Sequence, residues 1–216
     1  MHRLAVILPT VFVGLLLASL AAAVSAAPPP GPPFPDPVVN QAVYDYAGIL
    51  SAATITKAEA TIDAIEARTG AEVVVYTQDS GDAPTTDDAR TAAAALIDQW
   101  GVGRAGFDDG LAIFFDMQPN LLHGQVQLYA GPGFEAAFLS NQERQAIYEN
   151  DMLPLLRNAD FDSALIVALA KVDAATTPEH AAALQQSRQV NAVIGLVGAP
   201  IVFLGLVGWA FFHWRR

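Results

Sequence analysis

The stretch from Val190 to Phe212 carries no charged residue and limits what this chain can become more than any other feature. As a helix rising about 1.5 Å per residue, it is long enough to cross a hydrocarbon core of about 30 Å. Gly195 and Ala199 form a small-xxx-small pair, and Pro200 predicts a bend. Trp209 and Trp214 lie towards one end, and His213, Trp214, Arg215 and Arg216 close the sequence. Arginines flanking a span stay on the cytoplasmic side. Residues 213–216 are therefore expected inside as a basic tail, residues 190–212 as one transmembrane helix, and the preceding residues outside.

A second apolar run, Leu4 to Val24, follows Arg3 and leads into "AAAVSAAPPP". Val24 and Ala26 are the small residues a signal peptidase reads, so residues 1–26 are expected to be a signal peptide cut after Ala26. An uncleaved anchor is the alternative, and under either reading residues 27–189 face outward. Residues 27–40, "APPPGPPFPDPVVN", are expected to form an extended stalk, because prolines neither continue a helix nor donate to a strand ladder. A ligand for an SH3-type domain is the other use of such a segment.

The 216 residues include no cysteine, which excludes disulfides, thiolate nucleophiles and cysteine-bound zinc. Leaving out Arg3, Arg215 and Arg216, eight basic residues face 22 acidic ones, all of them between Asp36 and Glu179. That surface repels phosphate backbones and offers no basic stripe, so nucleic acid is excluded as a partner. It suits cations or basic partners.

Residues 41–175 are one domain's worth of chain. Ser51 opens a helix with Ile55, Ala58, Ile62 and Ile65 on one face, and Gly70 ends it. "AEVVVYTQ", Ala71 to Gln78, has the β-branched content of a buried strand. Thr85 or Thr86 caps a second helix whose inner face is Ala89, Ala92, Ala93, Leu96 and Trp100. "GLAIFFDM" and "QVQLYA" are two further strands joined through Pro119-Asn120. Ser140 and Glu143 form a capping box, Pro154 bends or restarts the helix that follows, and Asp160 or Asp162 caps a last helix through Val172. The order α-β-α-β-β-α-α predicts an α/β fold, a small three-layer α/β/α sandwich with a short mixed sheet. Residues 176–189 are left as a connector.

Asp108 and Asp109 stand immediately before the second strand and admit three readings. Asp-Gly sequences turn the chain. Oxygen ligands from separate loops could also hold Ca²⁺ or Mg²⁺, with Asp45, Asp160 and Asp162 as candidates to join them. Catalytic acids would need one raised and one low pKa. The histidines at 2, 123, 180 and 213 show no metal-ligand spacing, and nucleophile elbows, phosphate loops and dinucleotide fingerprints are absent, so no organic cofactor is expected. In "AGPGFEAAF", Gly131 and Gly133 precede a short helix. Either an anion docks there or the glycines make a tight turn with Gly133 at positive φ.

Five stretches in order, "VYDYAGILS", "ARTGAEVVVYT", "WGVGRAGFDDGLAIFF", "YAGPGFEAAF" and "RNADFDSAL", resemble the TPM domain family across about residues 41–175. The resemblance implies an α/β/α domain displayed outside a membrane or in a lumen. Some members of that family have been proposed to bind a divalent cation or to act as weak phosphatases, and others to bind membrane complexes. Carried over by position, it implies Asp45, Asp108 and Asp109 as metal ligands, with Trp100, Gly101, Gly103, Gly110 and Glu135 shaping the fold. Three features depart from the family pattern. Asp109 stands where the family usually has asparagine, Met117 to Gly124 carries no basic residue beyond His123, and a glycine-rich tail is missing after the anchor. The reading that results is a membrane-anchored extracytoplasmic accessory module for a membrane protein or complex, with Ca²⁺ or Mg²⁺ as a structural ion. A metal-dependent acid-type phosphatase is the alternative.

Overall fold

The computed structural model describes residues 30–189, so the expected signal peptide, transmembrane helix and basic tail lie outside the described residues. Four strands form one mixed sheet in the order β1-β2-β3-β4: β1 Val43–Asp45, β2 Glu72–Asp79, β3 Gly110–Met117 and β4 Gly124–Ala130. The first three are parallel and β4 closes the sheet antiparallel to β3. α1 (Ala52–Thr69) links β1 to β2, and α2 (Thr86–Trp100) links β2 to β3. After β4 come α3 (Pro132–Ala137), α4 (Asn141–Ala146), a π-helical turn over Ile147–Met152, α5 (Leu153–Leu156), α6 (Phe161–Ala175) and α7, residues 178–189.

Strand periodicity sorts the core into two layers. Val43, Val73, Val75, Ile113 and Phe115 face α1 and α6 in the larger layer. Tyr44, Val74, Tyr76, Ala112 and Phe114 face the other way, onto Ala92, Ala93, Leu96 and Ile97 of α2. Both parallel crossovers step the same way across the sheet, yet α1 and α2 lie on opposite faces. The two crossovers therefore have opposite hands, a departure from the usual all-right-handed rule.

Local chemistry sets the helix ends where the sequence indicates. Ser51 Oγ accepts from the Thr54 amide, and Gly70 closes α1 in the left-handed region with φ 74°. Of the two threonines it is Thr85 that caps α2, with Asp88 completing a capping box, and Ser140 and Glu143 make a second. Asp160 caps α6, while Asp162 accepts from the Ser51 amide at 2.9 Å and ties α6 to the start of α1. The helix opened by Ser140 passes into the π turn and then into α5, with Pro154 inside α5's first turn.

The proline-rich segment differs from the free stalk expected of it. From Gly31 onward it lies on the α2 face of the sheet, and Phe34 is 4% exposed. α2 packs over β3 and β4. That leaves the same face of β1 and β2 to be covered by something else. Phe34 packs there on β2 and its neighbour β3, edge-on to Tyr76 (5.2 Å) and Phe114 (6.1 Å), while Trp100 lies against Tyr44 of β1 at 4.6 Å. An apolar sheet face must be covered, and here the nearest proline-flanked aromatic side chain covers it.

Candidate functional site

The loop between α2 and β3 is built around Asp109. Its carboxylate is fully buried and receives three hydrogen bonds from one residue: Arg104 donates its backbone N–H to Oδ1 (2.8 Å), and Nε (2.8 Å) and Nη2 to Oδ2. The guanidinium also lies 4.5 Å above the Phe107 ring. Two guanidinium N–H groups thus converge on one carboxylate oxygen while the backbone amide takes the other, and such charge-assisted bonds are stronger than neutral ones. Asp109 is thus the internal anchor of the loop.

Asp108, next to it, faces solvent with φ 54°. Its carbonyl oxygen accepts from the amides of Gly133 (3.0 Å) and Phe134 (3.3 Å), so this loop closes the N-terminus of α3. The docking place considered for an anion at that terminus is therefore taken by the Asp108 carbonyl. Gly133 does not adopt positive φ. It is required because a Cβ there would collide with the Phe107 carbonyl oxygen, and Gly131 is held close to Asp108 for the same reason. From the far end of the domain, Arg188 of α7 donates to the Phe107 carbonyl (2.9 Å) and lies 3.7 Å from the Asp108 carboxylate. Asp98, Arg104, Asp108, Tyr129 and Pro132 border a cleft of about 500 Å³ beside this loop.

Asp45 sits elsewhere. It ends β1, where its carboxylate accepts from the Ile49 and Leu50 amides (3.1 and 3.0 Å) and from the Thr77 hydroxyl (2.6 Å). The register places Asp45 level with Thr77 and hence with Phe115. Asp109 is six residues earlier on that strand, about 20 Å away at 3.3 Å per residue. Asp45, Asp108 and Asp109 therefore do not fit one divalent cation. They occupy opposite ends of the sheet, and both Asp109 oxygens are already held by Arg104. Among the described residues no three His, Asp or Glu side chains converge in a metal-holding group. Asp160 and Asp162 are likewise committed, to the caps of α6 and the tie to α1.

At the C-terminal end of the parallel strands, Gln78 donates to the buried Asp116 carboxylate at 2.8 Å. Burial pushes Asp116 above the usual carboxylate range, the Gln78 bond opposes this, and nearby Asp88 and Asp79 add to the rise. At the hairpin end, His123 and Arg157 border a small pocket of about 150 Å³ with Tyr148 and Phe161. A cationic side chain thus stands next to a turn that itself has none.

Sequence reasoning missed Arg104 as the partner of Asp109, Arg188 as the tie from α7, and the seat of Phe34. Loop residues have no periodicity to reveal the first pairing. The others join positions 81 and 65 residues apart, and a single sequence leaves no trace of such contacts.

A family model described as the TPM domain matches residues 43–175. The solution structure of the N-terminal domain of a protein from P. gingivalis is 26% identical, with a TM-score of 0.52 over 63% of this chain and 82% of that one. The N-terminal domain of a protein from Corynebacterium glutamicum is 17% identical, at a TM-score of 0.47 over 65% and 83%. The BA42 protein of the psychrophilic bacterium Bizionia argentinensis is 16% identical, at 0.45 over 59% and 81%. No curated protein matches the sequence.

Proposed function

The chain belongs to the TPM domain family, and on that premise we propose that it is a membrane-anchored, extracytoplasmic binding module serving a membrane protein or membrane complex. The observation that carries this reading is the Arg104–Asp109 pair. A carboxylate whose two oxygens already accept from a guanidinium and an amide has few lone pairs left for attack or for an ion. What the loop presents instead is a shaped surface: Asp108, the exposed Ala105 and the cleft beside them, on a rigid base.

Arg188 adds a direction to that surface. It lies in the last turn of α7, just ahead of the apolar run that begins at Val190, and it grips the Phe107–Asp108 corner. With that run in a bilayer, the loop stands close to the lipid surface, within reach of a membrane-embedded partner. A metal-dependent phosphatase would need acids gathered around an ion and a water, whereas Asp45 and Asp109 are a strand length apart.

Three measurements test this. A photo-crosslinking residue at Ala105 should capture a membrane protein in native membranes, and Asp108→Lys should remove that adduct. Phosphate-ester hydrolysis by the full chain with Ca²⁺, Mg²⁺ or Mn²⁺ should not exceed buffer. Turnover that disappears in a folded Asp108→Asn chain would instead establish the phosphatase. Protease added to intact cells should digest residues 30–189 along with a surface control, and survival of the domain would refute the orientation.

A further inference from the structure

The proline-rich arm is seated in an unusual way. Among the described residues, the hydrogen bonds that hold positions 31–37 run between side chains of the domain and the arm's backbone. Gly31 donates to Gln78 Oε1 (3.0 Å). Phe34 donates to Gln99 Oε1 (2.9 Å), and Gln99 Nε2 donates back to the Phe34 carbonyl (2.6 Å). Trp100 Nε1 donates to the Pro35 carbonyl (2.9 Å). Gln99 thereby treats Phe34 as a neighbouring strand would, with one donor and one acceptor. Beneath these contacts lies a continuous aromatic floor. Tyr44 meets Trp100 at 4.6 Å, Tyr76 meets Trp100 at 5.6 Å, and Tyr76 stacks on Phe114 at 5.6 Å with planes 3° apart.

We infer that this face of the domain is a peptide-binding groove for a proline-flanked segment carrying one aromatic side chain, and that residues 31–37 are its intramolecular occupant. Two features separate the groove from ordinary core. First, the division of labour is that of extended-peptide recognition: main-chain bonds that any sequence can make, a tryptophan N–H on a proline carbonyl, and one pocket that selects a side chain. Second, the occupant leaves the groove incompletely satisfied. The Tyr76 hydroxyl is buried in this aromatic layer and has no hydrogen-bond partner among the described residues. A buried donor without an acceptor is a standing cost. A segment that brings an oxygen to that point gains an interaction that Phe34 does not make, so the arm is open to displacement. The partner class that follows is a protein with an aromatic-proline pair in an extended tail or linker.

Competition between a tethered arm and a free peptide gives the test. The probe is a synthetic peptide with the sequence of residues 28–38, added to the full chain in detergent while Trp fluorescence is followed. In the Phe34→Ala chain the peptide should bind saturably, at least tenfold more tightly than to wild type, where the arm already fills the groove. A peptide carrying the same Phe34→Ala change should not bind, and adding Gln99→Ala to the protein should weaken binding at least tenfold. A Phe34→Ala chain that keeps its circular-dichroism spectrum and still melts cooperatively but ignores the peptide overturns the proposal and leaves the arm as packing alone.

Should Phe34→Ala not fold, the wild-type chain decides. Millimolar peptide should speed hydrogen exchange of the Gly31 and Phe34 amides while leaving β2 unchanged, and identical exchange with and without peptide overturns the proposal. Occupancy of this groove needs no membrane span, so failure here leaves the proposed topology intact, and failure of the crosslinking or protease experiments leaves the groove intact.

Discussion

Asp109 and Asp116 are both buried acids, and they make opposite predictions because their partners differ. Arg104→Gln leaves the Asp109 carboxylate inside the protein without its counter-charge, at an expected cost of about 3 kcal/mol read from a urea midpoint. Asp109→Asn keeps an acceptor for Arg104 and should cost about 1 kcal/mol. If the two substitutions cost the same, the pair is not the anchor described. Asp116 has only an amide partner, and burial raises its pKa. Above its raised pKa, folding bears the burial of a charged carboxylate, so Asp116→Asn should raise Tm there. As pH falls through the raised pKa, the folded chain takes up the proton first. Wild type then recovers stability until the unfolded aspartate, near 3.9, also protonates. The gain in Tm from Asp116→Asn should therefore shrink on acidification. A gain independent of pH would mean that charge is not its source.

Among the elements, the arm has the largest predicted effect on stability. Phe34→Ala removes the ring packed on Tyr76 of β2 and Phe114 of β3 and should cost about 3 kcal/mol, with Tyr76 and Trp100 fluorescence shifting towards that of exposed rings. The same element shows where sequence reading stops. α1, α2 and α6 were legible in advance because each has a cap residue, a periodic apolar face and a defined start or stop: Ser51 and Gly70, Thr85 and Gly101, Asp160. β2 and β3 were legible as dense β-branched or aromatic runs bounded by turn residues. β1 was not, since Val43–Asp45 is too short to display alternation and is held by its parallel pairing to β2. Proline composition indicates that the arm joins neither a helix nor the sheet, but not that it is docked, because the docking groups are Gln78, Gln99 and Trp100. The candidate site divides in the same way. Asp108 and Asp109 were legible as turn residues ahead of a strand. Their separation from Asp45 was not, because it follows from the register of β1 on β2 and β3.

For the whole molecule, the separation of the acids gives a simple expectation: Ca²⁺ or Mg²⁺ at millimolar concentration should leave Tm unchanged. A stabilisation lost in Asp108→Asn would mean that an ion binds the exposed loop after all. A second expectation comes from how the chain enters and leaves the domain. Gly31 is fastened at Gln78, level with Asp116, whereas Arg188 is fastened at Phe107 and Asp108. Six residues of strand, Gly110 to Asp116, about 20 Å, lie between those levels. The polypeptide therefore comes in at one pole and goes out at the other. A bilayer that grips the exit pole leaves the entry pole as the outermost tip. The seven residues from Val24 to Gly31 reach about 25 Å at full stretch, so an uncut first run would have to hold them almost straight along the flank to enter the same lipid. Severing the first apolar run removes that difficulty, and Edman sequencing of the protein purified from membranes should accordingly begin at Ala27.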